Sequence, residues 1–408
     1  MGKRLFYGWF IAASAFFVLI IVGGTIYSFG VFFQPLLDEF GWTRAMTSGA
    51  FSLFMALLGC LYIVAGKLTD KYGPRLVVTV CSLFLGAGYL LMSQITAIWQ
   101  LYLYYGVMVG IGISGGWVPM LSIVARWFVK KRGMVTGIVA SGIGVGTVVM
   151  PPVARWLISA YGWRLSYIVM GSVALVVTMV VAQFLKRDPS EMGLVPYGAD
   201  ETSNNGLNTA DEGFSFQEAI RSRQFWAFCL ALLGFGYCIQ TIMVHIVLYA
   251  TGFGIPAVIA ATILACIGGA SVAGRPVMGS TGDRIGHKLA MVLCFIAVIG
   301  AFFWLLIARE LWMFYLFAAF FGFAYGGIAA LQSPLVAELF GLKSHGMIFG
   351  AVTFSITIGG AIGPVVAGHI FDVTDSYNLA IIICIAIIFA AWMITLFLRP
   401  THYKRGNR

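Results

Sequence analysis

Stretches of about twenty mostly apolar residues, separated by short polar turns, recur from Gly8 to Leu398. A helix crossing a hydrocarbon core of about 30 Å needs roughly that many apolar residues, so each run predicts a transmembrane helix. The first half holds spans at Gly8 to Phe33, Ala45 to Leu68, Leu76 to Gln94, Trp99 to Val124, Gly133 to Ser159 and Leu165 to Leu185. The second holds Phe225 to Tyr249, Pro256 to Gly279, Leu289 to Ile307, Trp312 to Ala337, Gly346 to Ile370 and Leu379 to Leu398. Between them lies one long polar stretch, Lys186 to Arg223, rich in acids, Pro, Gly and Asn. It predicts a mobile linker with a short surface helix near Phe216 to Ile220. The expected fold is an all-α integral membrane protein of twelve helices in two six-helix bundles, 1–185 and 224–408, joined by the linker 186–223.

Composition agrees. Of 408 residues, 60% are hydrophobic and 10% charged, against about a quarter charged in soluble domains, and the mean hydropathy is +0.94. A water-soluble fold is excluded. Fifty Gly occur without a G-X-Y period and the apolar runs lack heptads, which excludes collagen and coiled coil; disorder and nucleic-acid binding do not fit either. The net charge of +10 matters through its placement. Apart from Arg275, inside the eighth span, only Arg44, Arg155, Arg164 and Arg309 fall on the side opposite the other Lys and Arg. Both termini and the linker are therefore expected on the cytoplasmic side of a cell membrane. Trp9, Trp42, Trp99, Trp127, Trp163 and Trp312 lie near span ends, as interfacial belts require. The start MGKRLFYGWF reads as a retained first helix rather than a cleaved signal. Seven Cys are scattered singly in apolar runs with no C-x-x-C, which predicts buried thiols rather than disulfides or a metal site.

The chain repeats itself. Gly66-Lys67-Leu68-Thr69-Asp70-Lys71-Tyr72-Gly73 after the second span returns as Gly279-Ser280-Thr281-Gly282-Asp283-Arg284-Ile285-Gly286 after the eighth. Both copies read G-x-x-x-D-[KR]-x-G. The basic turn Ala125 to Gly133 has a degenerate counterpart at Ala337 to Gly346, and the Gly-rich fifth span matches Gly359 to Pro364. Six spans were duplicated in parallel orientation. Asp70 is expected near the start of the following helix, capping exposed amides and meeting Lys71 or Arg75. Such a contact can latch helices, and Gly66, Asp70, Lys71, Gly73, Arg75, Asp283 and Arg284 are the gating candidates. The alternative is a basic turn that merely ends two helices.

The paired turns, the six-plus-six layout and the central linker resemble the major facilitator superfamily along the whole chain. Three further segments are similar to the monocarboxylate transporter family and its bacterial relatives, which include oxalate/formate exchangers. They are Tyr7-Gly8-Trp9-Phe10, the stretch from Arg126-Trp127-Phe128 through Lys131-Arg132-Gly133 to Ser141-Gly142, and Arg275-Pro276-Val277-Met278-Gly279. The resemblance implies a secondary transporter of small monocarboxylates such as lactate or pyruvate, working by alternating access with a proton in a bacterial inner membrane. Proton-independent exchange of the oxalate/formate type is the alternative. Animal members of that family carry an acid one turn before the Arg and a Lys in the first span; here those positions hold Ser271 and Tyr27.

Ionisable groups inside lipid are costly and mark function. Arg275 lies among Gly268, Gly269, Ser271 and Gly274, and its planar fork suits a carboxylate; the alternative is an Arg whose stem snorkels to the helix end. His245, near the outer end of the seventh span, is the proton-carrying candidate, or else an interfacial packing residue. No Asp or Glu lies centrally in any span. The superfamily resemblance places Tyr27, Trp117, Tyr237, Gln240, Tyr325 and Gln332 around the central cavity, although any one aromatic also reads as packing. A membrane enzyme would need H-E-x-x-H, G-x-S-x-G or paired intramembrane carboxylates, none of which occurs. The expected partners are thus a small organic anion, a proton and the lipid bilayer, with no cofactor, metal, nucleic acid or obligate protein partner.

Overall fold

The computed structural model describes residues 6–199 and 213–399; the chain ends and the middle of the linker lie outside them. The described residues are helical almost throughout. The helices are α1 (Gly8–Phe40), α2 (Arg44–Tyr72), α3 (Pro74–Met92) and α4 (Ile98–Trp127), then one helical stretch Arg132–Gln183 that Gly162, at φ 80°, divides into α5 (132–161) and α6 (163–183). After the linker come α7 (Arg223–Thr251), α8 (Ala257–Ile285), α9 (His287–Ile307), α10 (Leu311–Phe340), α11 (His345–Thr374) and α12 (Asn378–Phe397). The twelve expected spans are thus all helices.

The helices outrun the apolar windows. α1 continues to Phe40, where Gly41 turns left-handed at φ 63° and its N–H bonds the Leu37 carbonyl. Hydropathy locates the hydrocarbon crossing, whereas the backbone stays helical until a residue ends it. The extra turns are polar: Gln34 Nε2 donates to Asp38 Oδ1 at 2.7 Å, and Glu39 accepts from Trp163 Nε1 at 2.6 Å and pairs with Arg164. Within α4, residues Tyr102–Val109 follow a wider π pitch, and Gly115–Gly116 interrupt the helix before Trp117.

Two compact units divide the described residues. The first takes parts of 1–130 and 139–210 with 344–350; the second takes 131–138, parts of 211–343 and 351–399. The first turns of α5 therefore belong with the second unit, and those of α11 with the first. The first unit's core stacks Phe32 on Tyr167, with ring centroids 3.9 Å apart, around fully buried Phe54, Tyr89 and Tyr105. In the second unit α8 packs along α10 through small residues: a Cβ on Gly274 would strike the Phe323 carbonyl, and one on Gly326 the Ser271 carbonyl. Close backbone approach is how apolar helices associate when lipid removes the hydrophobic drive. Exposed Leu230, Phe303, Phe320 and Phe397 face outward, where acyl chains solvate them.

Where it is described the linker is hydrogen-bonded to the end of α4: Trp127 Nε1 donates to the Lys186 carbonyl at 3.0 Å, and Tyr197 N donates to the Trp127 carbonyl at 2.9 Å. Polar backbone on both sides holds it there. The short helix forms at Phe216–Arg221, capped by Ser215, whose N–H and hydroxyl both bond the Glu218 carboxylate; these bonds hold the Glu218 carboxyl below its ordinary range. The cysteines are all free, but Cys60 is exposed and Cys266 partly so, because a thiol on a lipid-facing helix surface costs little.

Candidate functional site

The duplicated turn performs one task twice. In the first unit Asp70 accepts from the Gly346 and Met347 amides, at 3.1 and 2.9 Å, in the first turn of α11. In the second, Asp283 accepts from the Gly133 and Met134 amides, at 2.7 and 2.8 Å, in the first turn of α5. A helix start leaves amides without intrahelical acceptors and carries partial positive charge, so a carboxylate there satisfies both. The motif glycines serve this geometry. A Cβ on Gly66 would collide with the Gly346 carbonyl, and one on Gly279 with that of Gly133. Gly73 and Gly286 sit at φ 80° and 92°, a region hostile to residues with a Cβ.

The partners differ from expectation. Asp70 lies in the last turn of α2, which stays helical to Tyr72; α3 then starts with Pro74, which has no N–H to cap. The carboxylate therefore reaches α11 instead of α3. Lys71 Nζ lies 4.8 Å from the Tyr72 ring centroid, and Arg75 donates to Gln183 Oε1 at 3.0 and 2.6 Å. Arg284 is exposed. The cation that meets Asp70 is Arg126, 3% exposed, with Nη2 at 3.0 Å from Asp70 Oδ1 and Nη1 at 3.3 Å from Asp188 Oδ1. In the second unit His287 takes that place. Its Nε2 lies 3.3 Å from Asp283 Oδ1 and its Nδ1 meets Glu338 Oε1, while Arg132 interacts electrostatically with both carboxylates.

Arg126, Arg132, Asp188, His287 and Glu338 were not among the sequence candidates. Signals existed for some of them. His287 stands four residues after Asp283, just past the motif glycine Gly286, and Arg126 and Glu338 occupy corresponding places in the duplicated turns Ala125 to Gly133 and Ala337 to Gly346.

In the second unit Arg275 is buried, 3% exposed, with roughly 15 Å of α8 between it and the helix end at Ile285. Its guanidinium carbon lies 6.0 Å from the Tyr325 ring centroid, within cation–π range. A Cβ on Gly137 would strike the Arg275 carbonyl, so α5 crosses α8 at that level. Gln332 is buried with Oε1 lacking a hydrogen-bond partner. Tyr237 is buried and Gln240 exposed on α7, and both touch the glycines of α11: a Cβ on Gly363 meets the Tyr237 carbonyl, and one on Gly360 the Gln240 side chain. In the first unit Tyr27 is 52% exposed on α1, and Trp117 is buried at the start of the last segment of α4.

His245 Nδ1 lies 3.1 Å from the Tyr377 hydroxyl and Nε2 2.9 Å from the Pro364 carbonyl. A carbonyl only accepts, so Nε2 carries the hydrogen; the Tyr377 hydroxyl can donate to a bare Nδ1 or accept from a protonated one. The ring is satisfied on both sides in either form. A cavity of about 20 Å³ lined by Thr241, His245, Tyr249, Leu305 and Tyr377 adjoins it, room for a water molecule.

The sequence profile of the Major Facilitator Superfamily matches residues 15–308 and 268–408. The chain belongs to the major facilitator superfamily. This facilitator is 26% identical to monocarboxylate transporter 13 of Rattus norvegicus, over 94% of this chain and 87% of that one. It is 27% identical to monocarboxylate transporter 4 of the same species, over 92% and 80%, and 24% identical to the oxalate:formate antiporter of Oxalobacter formigenes, over 98% and 92%. Its fold matches the E. coli fucose:proton symporter at TM-score 0.73 and 15% identity, covering 97% of this chain and all of the other, and a proton:xylose symporter at TM-score 0.73 and 13% identity, covering 96% of each. The facilitator is a multi-pass membrane transporter, not an enzyme.

Proposed function

We propose that this transporter carries a small monocarboxylate of the lactate or pyruvate class together with a proton, by alternating access. The observation that carries the reading is Arg275, a buried cation ten residues before the end of α8 with an aromatic face beside it. A guanidinium offers two parallel N–H donors to a carboxylate, and such a charge inside lipid is retained where it has a partner to meet. The likeness to monocarboxylate transporters 13 and 4 supports that substrate class. Tyr27, Trp117, Tyr237, Gln240, Tyr325 and Gln332 complete the proposed binding residues, and His245 the proposed proton site. An anion on Arg275 favours imidazolium by adding negative charge, so substrate and proton bind reciprocally.

A second reading, proton-independent anion exchange, is favoured by the likeness to the oxalate:formate antiporter. Uptake of labelled lactate, pyruvate, formate and oxalate into proteoliposomes separates the two. Symport concentrates a monocarboxylate when the outside is acid; exchange responds to internal anion and ignores the gradient. Failure of every acid to enter under both conditions overturns both.

In the same reading the six-helix halves 1–185 and 224–408, joined by 186–223, are the moving bodies. The motif residues Gly66, Asp70, Lys71, Gly73, Arg75, Asp283 and Arg284 gate them. The termini and linker are cytoplasmic in a bacterial inner membrane, as the Lys and Arg distribution supports.

A further inference from the structure

The two latches are built alike at the backbone and differently in their charges. The first is held by the Arg126 guanidinium, which bridges Asp70 and Asp188. The second uses His287, set between Asp283 of the α8 end and Glu338 of the α10 end. Both ring nitrogens face carboxylate oxygens, which can only accept when ionised. Two such contacts need two donors, and a neutral imidazole has one. The arrangement is complete only when an extra proton resides on the ring or on one of the carboxyls.

The other charges nearby do not replace that proton. Arg132, at the start of α5, interacts with Glu338 and Asp283 and so balances one of the two carboxylates. Lys288 is directed elsewhere, its Nζ 2.6 Å from the Leu396 carbonyl, and Arg284 is exposed. A Cβ on Gly133 would meet His287 Nε2 at 2.8 Å, so the ring packs directly on the α5 turn whose amides Asp283 holds. His287 lies two residues before the ninth apolar span, at the basic edge of the bundle.

We propose that His287 makes the second latch a proton-sensitive one, engaged while the His287 cluster holds its extra proton and released when that proton is lost; in the first latch the guanidinium of Arg126 takes that place, and the imidazole of His345, beside Gly346, has Nδ1 3.0 Å from the Ser122 hydroxyl. The proposal extends the reading of the motif turns as gates and is distinct from proton coupling at His245. Acidification at the basic face therefore tightens the second latch. The engaged state binds the proton more firmly than the released one, so engagement is complete below the imidazole range and is lost as pH rises through it.

Backbone hydrogen exchange of the full chain in lipid nanodiscs, between pH 6 and pH 8.5, tests this directly. After correction for the intrinsic pH dependence of exchange, protection of the segment containing Gly133 and Met134 is expected to fall with rising pH. The limit is about tenfold per pH unit for one linked proton. The segment containing Gly346 and Met347 is read beside it, and its own imidazole, His345, is independent of His287. His287→Gln removes the dependence at Gly133 and leaves the response at Gly346 as in wild type. No dependence at the first segment, or one that His287→Gln leaves intact, overturns the proposal. Turnover by Asp283→Asn is read separately: an unchanged rate removes the gating role while the proton dependence stands.

Discussion

Arg126 and Arg275 are both buried, and substitution separates the structural part of the first from the substrate-binding part proposed for the second. Arg126 bridges two protein carboxylates, so Arg126→Ala leaves Asp70 with only the Gly346 and Met347 amides and Asp188 with Arg187. Removing one partner of a buried pair costs about 3–5 kcal/mol, and a clear fall in melting temperature in detergent is expected. Arg275 stands beside an aromatic ring on a helix rich in small residues. Arg275→Lys keeps the charge but loses the fork, so most transport is expected to vanish with little change in melting. Near-normal uptake by a folded Arg275→Ala variant would remove it from the substrate site. His245→Ala is expected to abolish accumulation driven by external acid. Should that variant still concentrate substrate to the wild-type level, the proton travels elsewhere and His245 is a packing residue held by Tyr377 and Pro364.

At the scale of elements the latches couple helix ends to helix starts far away in the sequence. Asp70→Asn keeps the shape but weakens the bonds to the α11 amides. Slower turnover with KM within a few-fold is expected in stopped-flow or uptake assays, since the contact touches no proposed binding residue. Gly66→Ala and Gly279→Ala drive a methyl into a backbone carbonyl; overpacking of that kind costs about 1–3 kcal/mol, visible as a lower melting temperature in each. The motif itself was legible: its spacing, its duplication and the carboxylate's appetite for helix amides were all read from the residues. Its partners were not. Asp70 and Gly346 are separated by 276 positions, and nothing local distinguishes α11 from α3 as the helix to be capped. The break at Gly115–Gly116 and the wide pitch over Tyr102–Val109 were equally hidden, because hydropathy averages over a turn and ignores which carbonyl each amide meets.

For the whole molecule the distribution of Lys and Arg makes the sidedness testable. Arg44 and Lys71 terminate opposite ends of α2. In right-side-out vesicles an impermeant maleimide is expected to label Arg44→Cys and spare Lys71→Cys; the reverse pattern inverts the proposed topology. The number of spans, their order and the duplication of a six-span unit were determined by the sequence alone, because a bilayer imposes a fixed apolar length on every crossing helix and satisfies no stray backbone group. That constraint is one-dimensional and acts on each segment separately. Which charge meets which helix start, why Arg126 closes one latch and His287 the other, and how deeply Arg275 is buried were decided only by tertiary packing. Those outcomes depend on close approach between backbones at glycines hundreds of residues apart, and a hydrogen bond exists only where two such surfaces bring donor and acceptor within about 3 Å.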